Sequence, residues 1–140
     1  MNIRNIFATI AGVLLSMIII VFGEAFTHIL YALPAELGMK DPEAFKAMIA
    51  AAPASMHLII LANYALACFL GALVAASIAN DKKMNQAISL GGIFMGVGMF
   101  NLVSFSHPVW VIVVSAFVFI PAAYLGGKIA VKRAENKKKP

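Results

Sequence analysis

Glu24 and His28 are the residues whose types and spacing point most directly to chemistry. Four positions apart, they share one face of a helix, within an apolar stretch that has no other Asp, Glu, Lys, Arg or His between Ile6 and Leu33. A carboxylate inside a membrane segment is costly and usually marks a site. His57 and His107, the remaining histidines, join the pair if later helices return to the same level. A carboxylate with neutral imidazoles suits a borderline metal such as zinc or iron, and the same groups pass protons near neutral pH. The spacing selects neither chemistry, since Glu24 and His28 do not form the HExxH pattern of zinc proteases. Two histidines on different helices, His28 with His57 or His107, also suit the axial positions of haem, although residues near helix ends enclose a large macrocycle poorly. No serine, cysteine or paired-carboxylate catalytic arrangement is visible. The alternative is structural: Glu24 and His28 hydrogen-bond each other where helices meet headgroups and water.

The elements that must position these residues are membrane spans. Of 140 residues, 62% are hydrophobic and 12% charged, whereas a soluble domain is about a quarter charged. Four long apolar stretches occupy about 6–33, 55–80, 84–105 and 108–131. Residues 1–133 thus read as a single transmembrane domain, followed by a basic cytoplasmic tail at 134–140. The first stretch exceeds the apolar core of a secretory signal and has no convincing small-residue cleavage site, so it reads as a retained helix. Cys68 is the only cysteine and lies in an apolar stretch, which excludes an intrachain disulfide. The net charge of +5 sits at segment ends, not interleaved with aromatics, and so does not suggest a nucleic-acid partner. With a cytoplasmic N-terminus, nine of the eleven Lys and Arg residues lie inside, and only Lys40 and Lys46 lie outside.

In the first outer loop, Asp41-Pro42-Glu43 reads as a helix start, with a capping Asp, Pro at the first position and an acid in the first turn. Phe45, Met48, Ile49 and Ala52 then recur at helical spacing, predicting a short amphipathic surface helix over about 42–52. Pro53 closes it, and Ser55 is a cap for the next span. Gly71, the Gly92–Gly96 GxxxG pair and Gly126 are candidates for close helix packing. Pro121 removes one backbone hydrogen bond from the last span.

The fold expected is therefore an all-α membrane protein, a four-transmembrane-helix bundle with both termini in the cytoplasm. At about 1.5 Å per residue, Glu24 stands roughly 27 Å above Ile6, near the outer edge of the hydrocarbon core. His28, His57 and His107 fall at the same level, with Tyr31, Asn63, Tyr64 and Asn101 as supporting residues. Asn63 and Asn101 also suit hydrogen bonds between helices, and Tyr31, Tyr64 and Trp110 suit packing or an interfacial aromatic belt.

Glu24-x-x-x-His28 with Tyr31 and Pro34, Asp41-Pro42-Glu43, His107-Pro108-x-Trp110 and Pro121-Ala122-Ala123-x-Leu125-Gly126-Gly127 resemble an uncharacterised family of small bacterial four-span membrane proteins. The resemblance implies a bacterial inner membrane and carries no activity, cofactor or site role. Three function classes stand. The leading one is binding of a cation, proton or small polar solute by Glu24, His28, His57 and His107, in transport or sensing. The second is a non-catalytic structural or assembly subunit, as a homo-oligomer or within a larger membrane complex. The third is a metal- or haem-dependent membrane enzyme. The orientation is testable in intact cells: with Cys68 replaced by Ser, a cysteine at Asp41 is labelled by an impermeant maleimide and one at Lys137 is not. The opposite pattern overturns the topology.

Overall fold

The computed structural model describes residues 2–34 and 36–139; Met1 and Pro140, the outer limits of the expected domain and tail, lie outside them. The chain runs through α1 (Ile3–Leu30), α2 (Leu37–Lys40), α3 (Pro42–Ala50), α4 (Ala54–Ile78), α5 (Lys83–Ser104) and α6 (Val109–Asn136). Helices α1, α4, α5 and α6 are long and apolar enough to cross a membrane. The protein is a multi-pass helical membrane bundle, and no strand occurs among the described residues.

Helix α4 is the hub, packing against α1, α5 and α6, while α5 also packs closely on α6. By contrast, α1 and α5 touch only weakly. The burial pattern is that of a protein whose solvent is lipid. Helix α1 buries Asn5, Ala8, Gly12, Ser16 and Thr27, and turns Phe7, Leu14, Val21 and Phe22 outward. Small residues on the inner stripe let backbones approach. A Cβ on Gly12 would stand 2.6 Å from the Gly71 carbonyl oxygen, and one on Gly71 would overlap the Ser16 hydroxyl. Ser16 Oγ lies 2.8 Å from the Ala67 carbonyl oxygen and 3.0 Å from that of Gly12, so its single proton is shared between the two helices. On the other side of the hub, a Cβ on Gly126 would strike the Phe69 carbonyl. Gly92 and Gly96 behave differently: among the described residues, nothing beyond their own stretch of α5 lies within 4 Å of where their Cβ atoms would stand. Close packing on α5 comes instead from Gly91, against Ala123, and Gly98, against Phe119. The GxxxG pair is therefore on the bundle's exterior, one helical step away from the packed face.

The end holding both termini is closed by polar contacts. Arg4 Nε donates to the Ile78 carbonyl at 2.8 Å, and Lys83 Nζ donates to the Ala76 carbonyl at 3.1 Å and also to that of Ala79. These cations from α1 and α5 satisfy carbonyls that the end of α4 leaves without intrahelical donors. Asn5 Nδ2 donates to Asp81 Oδ1, Asn5 Oδ1 accepts from the Asn80 amide, and Thr9 Oγ1 donates to Gln86 Oε1.

Helix ends at the opposite side set the site. The chain after α1 turns at Ala32 (φ 49°), with Leu33 N–H on the His28 carbonyl and Ala32 N–H on the Ile29 carbonyl. After α5 it turns at Ser106 (φ 56°), with His107 N–H on the Leu102 carbonyl and Ser106 N–H on the Val103 carbonyl. Both are Schellman caps built without glycine. The first ends α1 at Leu30, before Pro34 is reached. Asp41 Oδ1 accepts from Ala44 N–H at 3.0 Å with Pro42 at the first helical position, as its sequence suggests. Ser55 is not a cap: the N-cap of α4 is Pro53, and Ser55 Oγ accepts from Tyr31 Oη at 2.8 Å. The one-turn α2 had no periodicity to announce it, and α6 continues through the basic tail to Asn136.

Overpacking a close helix contact costs about 1–3 kcal/mol. Gly71→Leu is therefore expected to lower the thermal midpoint of the purified protein by several degrees, and Gly96→Leu to leave it unchanged. Equal shifts in the two variants would contradict the α1–α4 contact described above.

Candidate functional site

Three turns of α1 and α4 build the polar wall of a cavity of about 360 Å³ under α2 and α3. Glu24, Thr27 and His28 fall at i, i+3 and i+4 and so project to one side of α1. Tyr64, two helical turns into α4 from Met56, meets them: its hydroxyl donates to Glu24 Oε1 at 3.2 Å. Thr27 Oγ1 donates back to the Gly23 carbonyl at 2.8 Å, which leaves its methyl group towards its neighbours. Asn101 of α5 and His107 of the α5–α6 turn line the cavity from the far side. Met56 and Ile60 of α4 supply apolar wall, and no Lys or Arg lines the space among the described residues.

The roof is aromatic. Phe45 of α3, only 8% exposed, stands between α1 and α5. Its ring stacks on His28 at 6.1 Å between centroids and 22° between planes, and meets Phe105 edge-on at 6.0 Å and 83°. The apolar stripe of the surface helix is thus directed into the bundle through Phe45 and Ile49.

Behind this cavity lies a second layer of histidine. His57 is 1% exposed and does not line the cavity; its ring lies 5.3 Å from His107 and 5.9 Å from Trp110, edge to face with both. Neither His57 nitrogen has a hydrogen-bond partner among the described residues. An unmade bond to a buried polar atom costs about 1–3 kcal/mol, so His57 sits at a cost that its edge-to-face ring contacts must offset. His107 Nδ1 lies 3.3 Å from the Leu102 carbonyl, which can only accept. In the neutral ring Nδ1 therefore carries the proton, and Nε2 is an acceptor. Burial, with the neighbouring His57, holds His107 down at about 4 despite the bond to Leu102.

The sequence candidates separate into three groups. Glu24, His28, Tyr64, Asn101 and His107 share the cavity. His57 touches it only through His107. Tyr31 and Asn63 lie elsewhere: Tyr31 ties the first loop to Ser55, and Asn63 Nδ2 donates to the Ile20 carbonyl at 3.2 Å beside a lipid-facing groove. Glu24 is bonded by Tyr64, not by His28, whose ring is engaged with Phe45. Thr27, Phe45 and Phe105 are additional wall residues. Thr27 was signalled by its place between Glu24 and His28, and Phe45 by its stripe, whereas nothing in the sequence marked Phe105.

Metal and haem fit poorly. Among the described residues no group of three or more His, Cys, Asp or Glu comes together to hold a metal ion. For haem, His28 with His57 is a poor pair because His57 does not line the cavity, and in His28 with His107 the His28 ring is stacked on Phe45. Fold and site together define a small polytopic helical membrane protein with Glu24 in an aromatic-roofed cavity. No family model, curated protein or solved structure matches the chain.

The lowered value of His107 gives a pH dependence. The ordinary histidine value is 6.5, so the folded state keeps His107 neutral where the unfolded chain would protonate it. Its contribution to stability is full above pH 6.5 and is lost as pH falls through about 4. In ¹⁵N-histidine-labelled protein the His107 ring is expected to remain neutral at pH 6 and to titrate near 4. A midpoint at the ordinary value would contradict the buried, Leu102-bonded placement.

Proposed function

We propose that this protein binds a small organic cation beside Glu24, on the outer side of a bacterial inner membrane, as the recognition step of transport or sensing. One observation carries the reading: among the described residues Glu24 is the sole carboxylate on the cavity wall, and a single bond from Tyr64 leaves most of its acceptor capacity free. The rings of Phe45, Phe105 and Tyr64 lie around the same space. A carboxylate surrounded by aromatic faces suits an ammonium group, through charge and through cation–π attraction. Neutral His107 adds an acceptor and no competing positive charge. The volume, about 360 Å³, is at the small end of ligand pockets. A proton on Glu24 removes the counter-charge, so protons and ligand compete for one group.

The assembly-subunit reading has its own support in Gly92 and Gly96, which leave a smooth external strip on α5 where another helix could approach. The two readings differ in what Glu24 does. With protein in nanodiscs, calorimetric titration of tetramethylammonium, tetraethylammonium and hexyltrimethylammonium, corrected for empty nanodiscs, is expected to give saturable binding of at least one. A charged hydrogen-bonding partner is worth about 1.5–3 kcal/mol, so Glu24→Gln should weaken that binding by roughly tenfold or more while thermal stability changes little. Absence of binding across the panel, or equal binding by the variant, rejects the cation reading.

A further inference from the structure

The way into the cavity can be read from what closes it. Towards the α2–α3 end, Phe45 fills the gap between His28 and Phe105, and Ile49, 4% exposed, extends that cover along α3, with Leu33, Gly38 and the exposed Met39 on the rim beside them. The Tyr31–Ser55 bond fastens the preceding loop to the start of α4. Behind the cavity stands α4, packed on three sides. The weak seam is the one between α1 and α5, which flank the cavity yet hardly touch each other. With α1 and α5 spanning a membrane, an opening along that seam would face acyl chains.

Depth agrees with this route. Glu24 lies six residues before the end of α1, or about 9 Å below it at 1.5 Å per residue. This is the depth at which an amphiphile carries its charge while its body stays in hydrocarbon. Much of the remaining wall is apolar, with Met56, Ile60 and Ile49 beside the polar group.

We propose that the cavity is entered from within the bilayer, through the α1–α5 seam, and that its ligand is an organic cation with an apolar body that partitions into the membrane. The proposal rests on the cation reading and adds the ligand class and the path. Free lipophilic amines and the ammonium headgroups of phospholipids share the recognised chemistry. The bilayer concentrates both, and both arrive with the charge already at the level of Glu24.

Two measurements separate this proposal from the cation reading itself. In the nanodisc titrations, affinity should rise along an alkyltrimethylammonium series from methyl to hexyl, by roughly fourfold per buried methylene before saturation. If tetramethylammonium binds as tightly as the hexyl compound, the cation reading stands and the lipophilic class fails. Nanodiscs containing only ammonium-free anionic lipid should bind the hexyl probe more tightly than phosphatidylcholine nanodiscs if headgroups occupy the site; equal affinity assigns the site to free amines. For the path, Trp110 is replaced by Phe and Ile60 by Trp. Phospholipids brominated on their acyl chains should quench the new tryptophan at least twofold, and aqueous iodide should not. Iodide quenching without bromolipid quenching would place the entrance on the water side and overturn the path. If the tryptophan variant unfolds, Ile60→Cys with Cys68→Ser serves instead, and is expected to react with apolar N-phenylmaleimide but not with a charged methanethiosulfonate. The reverse reactivity overturns the path equally.

Discussion

Everything in this bundle depends on the meeting of α1 with α4 at Gly12, Ser16 and Gly71. In lipid, apolar side chains gain nothing by leaving their surroundings, so helices must associate through close packing and hydrogen bonds. Here the two backbones approach until a methyl group has no room, and one buried hydroxyl spans them from Ser16 to Ala67. That contact fixes the rotation of α1 about its axis. Fifteen residues of helical phase later, the same rotation directs Thr27 inward and presents Glu24 to Tyr64. The polar wall of the cavity is thus set by residues nearer the other end of the helix.

The fold was legible because membrane helices announce themselves by length and by the positions of their few charges. Asp41-Pro42-Glu43 was equally plain, since a cap, a proline and an acid act locally. What a sequence cannot state is which way one helix faces another. Spacing put Glu24 and His28 on one face and made them natural partners, yet the phase of α4 brought Tyr64 to the carboxylate and the phase of α3 brought Phe45 to the imidazole. The GxxxG strip illustrates the same limit: Gly91 and Gly92 are adjacent in sequence, but a step of one residue turns a helix by about a quarter turn or more, enough to exchange a packed glycine for an exposed one. Among the histidines, level was predicted from counting residues, but burial was not. His57 lies behind His107 because the Ser106 cap folds the α5–α6 turn back over the start of α4.

The two left-handed caps deserve weight in any account of the site's rigidity. Ala32 and Ser106 occupy a backbone region that costs a residue with a Cβ about 1–2 kcal/mol, and glycine would adopt it freely. Ser106 stands directly beside His107, whose amide forms the long bond of its cap, and the Ala32 cap closes on the carbonyl of His28, four residues back. A glycine there would relax the turn and also widen the range of directions available to the histidine it holds. The side-chain-bearing residues narrow that range. In this sense the direction of His107 is narrowed by backbone geometry before any ligand arrives.

The capping of α4 by Arg4 carries an implication for how the protein is made. The donor is at the start of the chain and the acceptor, the Ile78 carbonyl, emerges only after three more helices. When the end of α4 leaves the ribosome, the guanidinium that will satisfy it is already in place on α1, and Lys83 follows within five residues. The second long span therefore enters the membrane with a partner waiting for its least stable end. Chain order, as much as final contact, makes the N-terminal helix the template on which the bundle assembles.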